Sequence, residues 1–407
     1  MLQGKKILLG VTGGIAVYKA VDLVSRLRKQ GAEVRVMMTE AATKFVTPML
    51  FREISCNPVA VTLWDENEFY AEHIRLAEWA DILVLAPTTA NVMAKVAQGL
   101  ADDLVTSTTL AMPVSKPVLV CPAMNCDMYA NEATQANLDI LLSRENFFVV
   151  EPAEGVLACG AVGLGRLPEP GDLVEHIDAT LGEWYGDLVG RHILVTAAGT
   201  RENLDPVRFI GNRSSGKMGY AIARAALGRG ALVTLVTGPS AEVPPVEANV
   251  IKVESTKEML DACLAAYPNV DVVIKAAAVA DYKPYTMAKQ KIKKNDDNLE
   301  LVLDKNPDIL KEMGKLKEHQ ILVGFAAETT KVVEYAKKKI KAKNLDFIVA
   351  NDVTAAGAGF NVDTNIVKLI TPDGKMDEFE QMTKDQVAQK ILDKVLTVEK
   401  KRGTGKK

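Results

Sequence analysis

One cysteine sits in a run of glycines: GVLACGAVGLGRL, residues 155–167, places Cys159 among Gly155, Gly160, Gly163 and Gly165. Glycine weakens helix and strand alike, so the stretch reads as a loop. A free cysteine is ordinarily packed in a core. In a glycine loop it packs little and is open to oxidation, which raises the question of a chemical role. Cys121 and Cys126 flank Asn125 in CPAMNCDMYAN, but no histidine or further cysteine completes a metal set there. Asn125 closes a turn on the simplest reading. His73 shares a helical face with Phe69, Leu76 and Ala80, the spacing of a histidine at the edge of a core.

Two stretches could hold phosphate. Gly13-Gly14 follows the apolar run ILLGV and precedes a helix expected from Ile15, so backbone N–H groups can face an anion. The pair is not GxGxxG, which excludes the dinucleotide fingerprint and suits a single phosphate; a bend that merely needs glycine is the equal alternative. GNRSSGKMG, residues 211–219, imitates a P-loop, yet Met218 stands where a magnesium-binding hydroxyl is required. It is therefore not a Walker A motif, although Ser-Ser-Gly at a helix start remains a fair anion site. Lysines then follow several strands: Lys289, Lys291, Lys293 and Lys294 after AAAVADYKP, Lys305 in DKNPDIL, and Lys339 and Lys343 one turn apart on a helix. A solvated surface explains most such lysines; a triphosphate would need a few of them.

The elements that position these groups are apolar runs alternating with helical patterns, the signature of parallel sheets with crossover helices. The order occurs twice. KKILLGVTGG echoes RHILVTAAGT, GAEVRVMMT echoes GALVTLVTG, and ADILVLAPTTAN echoes VDVVIKAAAVAD. Two Rossmann-like α/β domains follow, divided within residues 172–190. In the first, the strand-end loops carry Gly13-Gly14, Thr39, Thr88, Asn125 and Cys159, where open sheets bind ligands. In the second, NIVKLITPDGKMDEFE predicts a hairpin added to the sheet through its Pro-Asp-Gly turn.

The totals agree with two domains: 407 residues exceed what one core serves. A net charge of −3 gives no reason to expect nucleic acid. Five cysteines without a CxxC pair argue against a disulfide framework and for a reducing, cytoplasmic compartment. The apolar run at the start is too short for a signal peptide, and no stretch is long enough to span a membrane. The basic tail 401–407 is expected to be disordered.

GVTGGIAVYKA, APTTANVMAKVAQGLADDL, PAMNCDMYAN and LACGAVGLGRL, with His73, resemble the flavin-dependent cysteine decarboxylases over the first ~180 residues. The resemblance implies a flavodoxin-like FMN domain, residues 1–187, acting on phosphopantothenoylcysteine: the substrate thiol is oxidised, CO2 leaves, and the enethiolate is protonated and reduced. It makes Cys159 the proton donor; a thiol with pKa near about 8.5 is mostly protonated at neutral pH, where a carboxylic acid is not. It makes His73 a base or electrostatic partner and Asn125 the holder of the substrate carboxylate. Gly13, Gly14, Thr39 and Thr88 fall at the FMN site.

DPVRFIGNRSSGKMG, KAAAVADYKP, KIKK, KNPDIL, VGFAAET and NLDFIVAND resemble phosphopantothenate–cysteine ligase, residues 188–400. The resemblance implies attack of 4′-phosphopantothenate on CTP, then displacement of CMP by the amine of L-cysteine. It assigns CTP, with Mg2+ carried on it, to Ala278, Ala280, Asp281, Lys291, Lys305, Asn306, Pro307, Asp308, Phe325, Lys339 and Lys343, and the acyl-cytidylate to Asn212. It also implies a homo-oligomer, a dodecamer of trimeric decarboxylase and dimeric ligase domains. A non-catalytic flavin-binding regulator is disfavoured by the presence of Cys159, His73 and Asn125, and a nicotinamide dehydrogenase by the missing GxGxxG.

Overall fold

Five of the six residues of KILLGV are buried in the first strand, which is what a strand covered on both faces requires. The computed structural model describes residues 2–64, 71–156, 160–293, 299–328, 332–352 and 362–404. They fall into two units, Met1–Gly186 and Asp187–Lys407.

In the first unit, β1 (Lys6–Val11), β2 (Glu33–Met38), β3 (Val59–Ala60), β4 (Ile82–Thr88), β5 (Val118–Pro122) and β6 (Phe147–Val149) form one parallel sheet. Its order is β3-β2-β1-β4-β5-β6. Without the two-residue edge strand β3, the remaining strands run second-first-third-fourth-fifth, the flavodoxin-like order. The chain reverses its winding between β1 and β4, which opens a crevice at their carboxyl ends. Ile7, Leu9 and Val84 pack on one face, Leu8, Leu83 and Met37 on the other. The helix Val17–Lys29 covers the first face with Val17, Ala20, Leu23, Val24 and Leu27, a stripe at helical spacing. It begins two residues later than expected from Ile15.

The glycine run is not wholly a loop. β7 (Ala153–Val156) and β8 (Val162–Arg166) pair antiparallel, with Gly155 opposite Gly163. Glycine's entropic cost predicts a loop, but its freedom for close backbone approach lets these two segments pair. A Cβ on Gly165, whose φ is +153°, would stand 2.3 Å from the Met124 carbonyl oxygen.

In the second unit, β9 (His192–Ala197) leads to a small pair, β10 (Arg201–Asn203) with β11 (Phe209–Gly211). β12 (Leu232–Thr237), β13 (Asn249–Lys252) and β14 (Val272–Lys275) follow; then β15 (Tyr282–Pro284) pairs with β16 (Leu303–Lys305). β17 (Ile321–Glu328), β18 (Phe347–Asp352), β19 (Thr364–Asn365), β20 (Val367–Ile370), β21 (Met376–Glu378) and β22 (Met382–Thr383) complete it. The main sheet has the order β13-β12-β9-β14-β17-β18-β20-β21. It is parallel through β18, and the β20–β21 hairpin adds to its edge antiparallel. The turn is the expected Pro-Asp-Gly one: Gly374 has φ +84° and donates to the Thr371 carbonyl at 2.9 Å.

The tail corrects another expectation. The helix Lys384–Thr404 continues past residue 400. Arg402 gives the reason: it donates to the His319 and Gln320 carbonyls at 2.6 and 3.2 Å and pairs with Asp346. Among the described residues, no helix is long and apolar enough to cross a membrane.

Candidate active sites

At the reversal point of the first sheet, β1 ends in Thr12. Its hydroxyl donates to the Pro87 carbonyl at 2.7 Å and accepts from the Thr89 N–H at 2.9 Å, which joins the loops after β1 and β4. Gly13 lies against Ala41, where a Cβ would stand 2.5 Å from that residue's Cβ. Among the described residues, the N–H groups of Gly13, Gly14, Ile15 and Ala16 meet no protein acceptor, at the head of a 13-residue helix. Successive unpaired donors there, with the positive end of the helix dipole, form a cradle for one phosphate. Thr39 is buried and caps the next short helix by accepting from the Ala42 N–H at 3.2 Å. Thr88 is fully buried and its hydroxyl donates to the Leu85 carbonyl at 2.7 Å, so it shapes the strand end.

The loop after β5 is tied on both sides. The Ala123 N–H donates to the Thr88 carbonyl at 3.0 Å, and the Met124 N–H to the Gly165 carbonyl at 2.9 Å. Asn125 caps the following turn, its Oδ1 accepting from the Asp127 and Met128 N–H groups at 2.8 and 3.4 Å. The turn-closing role read from its sequence is therefore real, and it sets the carboxamide beside the β8 arm. That arm is anchored at its base by Lys19, buried in the first helix, which donates to the Leu167 carbonyl at 2.7 Å and pairs with Glu169 at 2.8 Å. Cys159 itself lies outside the described residues. His73 is half-buried in the first turn of the helix Glu72–Trp79, with Leu76 and Ala80 inside the core as its spacing predicted. Phe69, the fourth member of that face, lies outside the described residues. No described hydrogen bond ties His73 to the Thr12–Asn125 loops.

In the second unit the reversal point lies between β9 and β14. Here the loop after β14 is stitched to its neighbours. Ala278 N–H donates to the Ala198 carbonyl at 2.8 Å, and Ala280 N–H to the Thr200 hydroxyl at 2.9 Å. Asn212 Nδ2 donates to the Val279 carbonyl at 2.8 Å. Asn306 Nδ2 donates to the Ala280 carbonyl at 3.0 Å, and its backbone N–H to the Asp281 carbonyl at 2.9 Å. The Asn306 Oδ1 is buried and, among the described residues, accepts from no donor. Asp308 caps the helix Ile309–Lys315 and pairs with Lys343 at 2.8 Å. Burial alone would push the Asp308 carboxyl up; the Lys343 ammonium outweighs it and holds it below the ordinary range.

The structure thus brings Asn212, Ala278, Ala280, Asp281, Asn306, Pro307, Asp308 and Lys343 around one strand-end loop. Phe325 sits half-buried on the adjacent strand β17. Lys305 is exposed at the end of β16, opposite Tyr282. Lys339 is half-buried on the helix Val332–Ala342. Lys291 is exposed, yet its strap is held. Asp205, fully buried, accepts from the Val207 and Arg208 N–H groups at 2.8 Å, from the Arg208 guanidinium at 2.6 Å and from the Ile292 N–H at 3.1 Å. The guanidinium first, then these backbone donors, holds the Asp205 carboxyl far below its ordinary value. Asp205 and Arg208 are functional-site residues that the sequence analysis above does not assign; the aspartate before the proline turn in DPVRF is their signal. Lys217, the residue that imitates the P-loop lysine, is paired with Asp363 at 2.6 Å. Among the described residues, no group of three His, Cys, Asp or Glu could hold a metal ion.

Comparison with known proteins covers both units. Residues 1–182 match the Flavoprotein family, and residues 188–398 match the family described as the DNA/pantothenate metabolism flavoprotein C-terminal domain. The chain is 47% identical over 406 residues to the coenzyme A biosynthesis bifunctional protein CoaBC of Bacillus subtilis (strain 168), covering 99% of each chain. Its identity to the protein of that name from Vibrio vulnificus (strain YJ016) is 48% over 380 residues, 92% of this chain and 93% of the other. For that of Escherichia coli (strain K12) it is 47% over 402 residues, 97% and 98%.

Proposed function

The chain belongs to the family of coenzyme A biosynthesis bifunctional proteins, and from that membership we propose that its first unit decarboxylates 4′-phosphopantothenoylcysteine with FMN and its second joins L-cysteine to 4′-phosphopantothenate with CTP. It is a bifunctional enzyme, a flavoprotein decarboxylase and a ligase in one chain. The observation that supports the finer reading is that Gly13, Gly14, Thr39, Thr88 and Asn125 end or follow strands at the reversal point of the first sheet, while Asn212, Ala278, Ala280 and Asn306 are hydrogen-bonded at that of the second.

In the first unit, the four unpaired N–H groups of Gly13 to Ala16 would hold the FMN phosphate, and the donor set fits a mononucleotide. Bound FMN would supply a two-electron oxidant that is regenerated within each turnover. Asn125 would orient the substrate carboxylate, because a carboxamide donates without adding a charge that would retain the departing CO2. His73 would accept or balance the thiol proton. Cys159 would return a proton to carbon.

In the second unit, a carboxylate oxygen of phosphopantothenate forms a bond to the α-phosphorus of CTP, and pyrophosphate leaves. The cysteine amine then attacks the acyl carbon, and CMP leaves with the bonding pair. Asn212 would hold the acyl-cytidylate. Lys291 would offset charge on the phosphates, with Lys305, Asn306, Pro307, Asp308, Phe325, Lys339 and Lys343 around the nucleotide. Mg2+ would arrive on the nucleotide oxygens. This reading includes a homo-oligomer, a dodecamer, which light scattering would weigh against the 44.1 kDa chain.

The test adds phosphopantothenate, cysteine, CTP and Mg2+ to the purified protein. Release of CMP and CO2 is expected. Cys159→Ser should keep ligation and stall decarboxylation before reduction; normal thiol formation by that variant rejects the donor role. Asn212→Asp should block amide formation while preformed substrate is still decarboxylated, because a carboxylate would face the Val279 carbonyl.

A further inference from the structure

Lys275 takes part in none of the steps above. It is the last residue of β14, on the face that carries Val273 into the apolar cluster of Met259, Cys263 and Leu310. Its Nζ donates to the Ala277 carbonyl at 3.1 Å, inside the loop that Asn212 and Asn306 also hold. The titratable and charged groups facing it are Cys263 on the helix Thr256–Ala266, Asp308 at the head of Ile309–Lys315, Lys343 just beyond Val332–Ala342, and Asp281 at the end of its own loop. Asp308 is already engaged by Lys343. Among the described residues, no carboxylate lies within ion-pair distance of Lys275.

Resting on the reading of the second unit as a nucleotide site, we propose that Lys275 is a positioning residue whose half-buried ammonium holds the Ala277 carbonyl and finds its missing counter-charge in the nucleotide's phosphates, so that nucleotide binding draws a proton from solvent onto this side chain.

A cation set among apolar side chains next to a second lysine lacks negative charge. Burial first, then the Lys343 charge, pushes the Lys275 ammonium down to about 8. A polyphosphate beside it favours the protonated form, and linkage then requires proton uptake on binding. The sign is fixed. Affinity is full while Lys275 is charged, below about 8, and falls as pH rises through that value, by up to about tenfold per pH unit. The nucleotide contributes nothing in this window, since the last phosphate proton is lost near about pH 6.

The test is calorimetric titration of the full-length protein with CTP and Mg2+ alone, at about pH 8.5, in two buffers of different ionisation enthalpy. The expected result is uptake of up to about three quarters of a proton per nucleotide, the neutral fraction at that pH. Lys275→Met should bind with no uptake and with an affinity that is flat with pH. Lys275→Arg, charged throughout, should also show no uptake but keep the tight binding of the wild type at lower pH. Zero uptake by the wild type, or equal uptake by the methionine variant, overturns the proposal. If that variant does not fold, persistent uptake by the arginine variant overturns it. Absence of any CTP binding to the wild type would instead remove the nucleotide reading on which the proposal rests.

Discussion

Around the reversal point of the first sheet the named groups are uncharged: the N–H groups of Gly13 to Ala16, the hydroxyls of Thr12 and Thr89, and the carboxamide of Asn125. At the same point of the second sheet stand Lys275, the Asp308–Lys343 pair and, on the strap, Lys291 beside the Ile292 backbone that Asp205 and Arg208 hold. Two sheets wound alike therefore equip the same crevice with different chemistry. A backbone cradle keeps its geometry and polarity at every pH, which suits a ligand retained through turnover. Charged side chains suit a polyanion that arrives and departs in each cycle, because their attraction is strong yet responsive to protons and salt.

The comparison breaks most readily at Gly13. In Gly13→Val, side-chain atoms would overlap Ala41, including its carbonyl carbon, which even a Cβ would approach to 2.8 Å. The purified variant should be colourless, with decarboxylation down more than about 100-fold and ligation retained. A yellow, active variant would show that this loop does not hold the flavin.

Gly165→Ala separates cradle from flap. The new Cβ collides with the Met124 carbonyl at a φ of +153° that alanine resists. Flavin colour should persist while decarboxylation falls by about tenfold or more, since a displaced arm misplaces the donor. In the other unit, Asp205→Ala should lower ligation kcat/KM by about tenfold through the freed 288–292 strap, without changing the flavin spectrum.

Acid should distinguish the units without mutation. Asp187, Asp205, Asp363 and Asp373 are held below 3.8 first by hydrogen bonds from Arg229, Arg208, Lys217 and Thr371, and Asp308 by Lys343 against its burial. All belong to the second unit; in the first, among the described residues, only exposed Asp102 is lowered, by Lys95. A depressed carboxyl stabilises the fold above its unfolded value and ceases to do so as pH falls through the folded one. The second unit should therefore lose structure first below about pH 3.8. All three tryptophans, Trp64, Trp79 and Trp184, lie in the first unit. Circular dichroism should thus fall before tryptophan emission shifts; coincident transitions would contradict the asymmetry. The smallest effect is expected at Lys217→Ala. Its ammonium is spent on the exposed Asp363, so the KM for CTP should stay within about twofold. A larger rise would restore the P-loop reading.

The two sheets and the added hairpin were legible because burial on both faces demands continuous apolar runs, and a tight turn demands Pro-Asp-Gly. Asn125 was legible as a turn former and Leu76 and Ala80 as core, since both follow from local spacing. The β7–β8 pairing was missed because glycine's permissiveness reads alike in a loop and in a close backbone approach.

Local periodicity and turn chemistry, carried by neighbours along the chain, were enough to read two α/β units and the loops that bear the chemistry. The charge state of those loops was not contained there. Asp205 meets Ile292 across 87 positions, and Lys343 meets Asp308 from the far side of β17. Whether a lysine such as Lys275 is a solvated surface charge or a half-buried cation depends on which helices cover it, and folding alone decides that, because desolvation is a property of everything that surrounds a group.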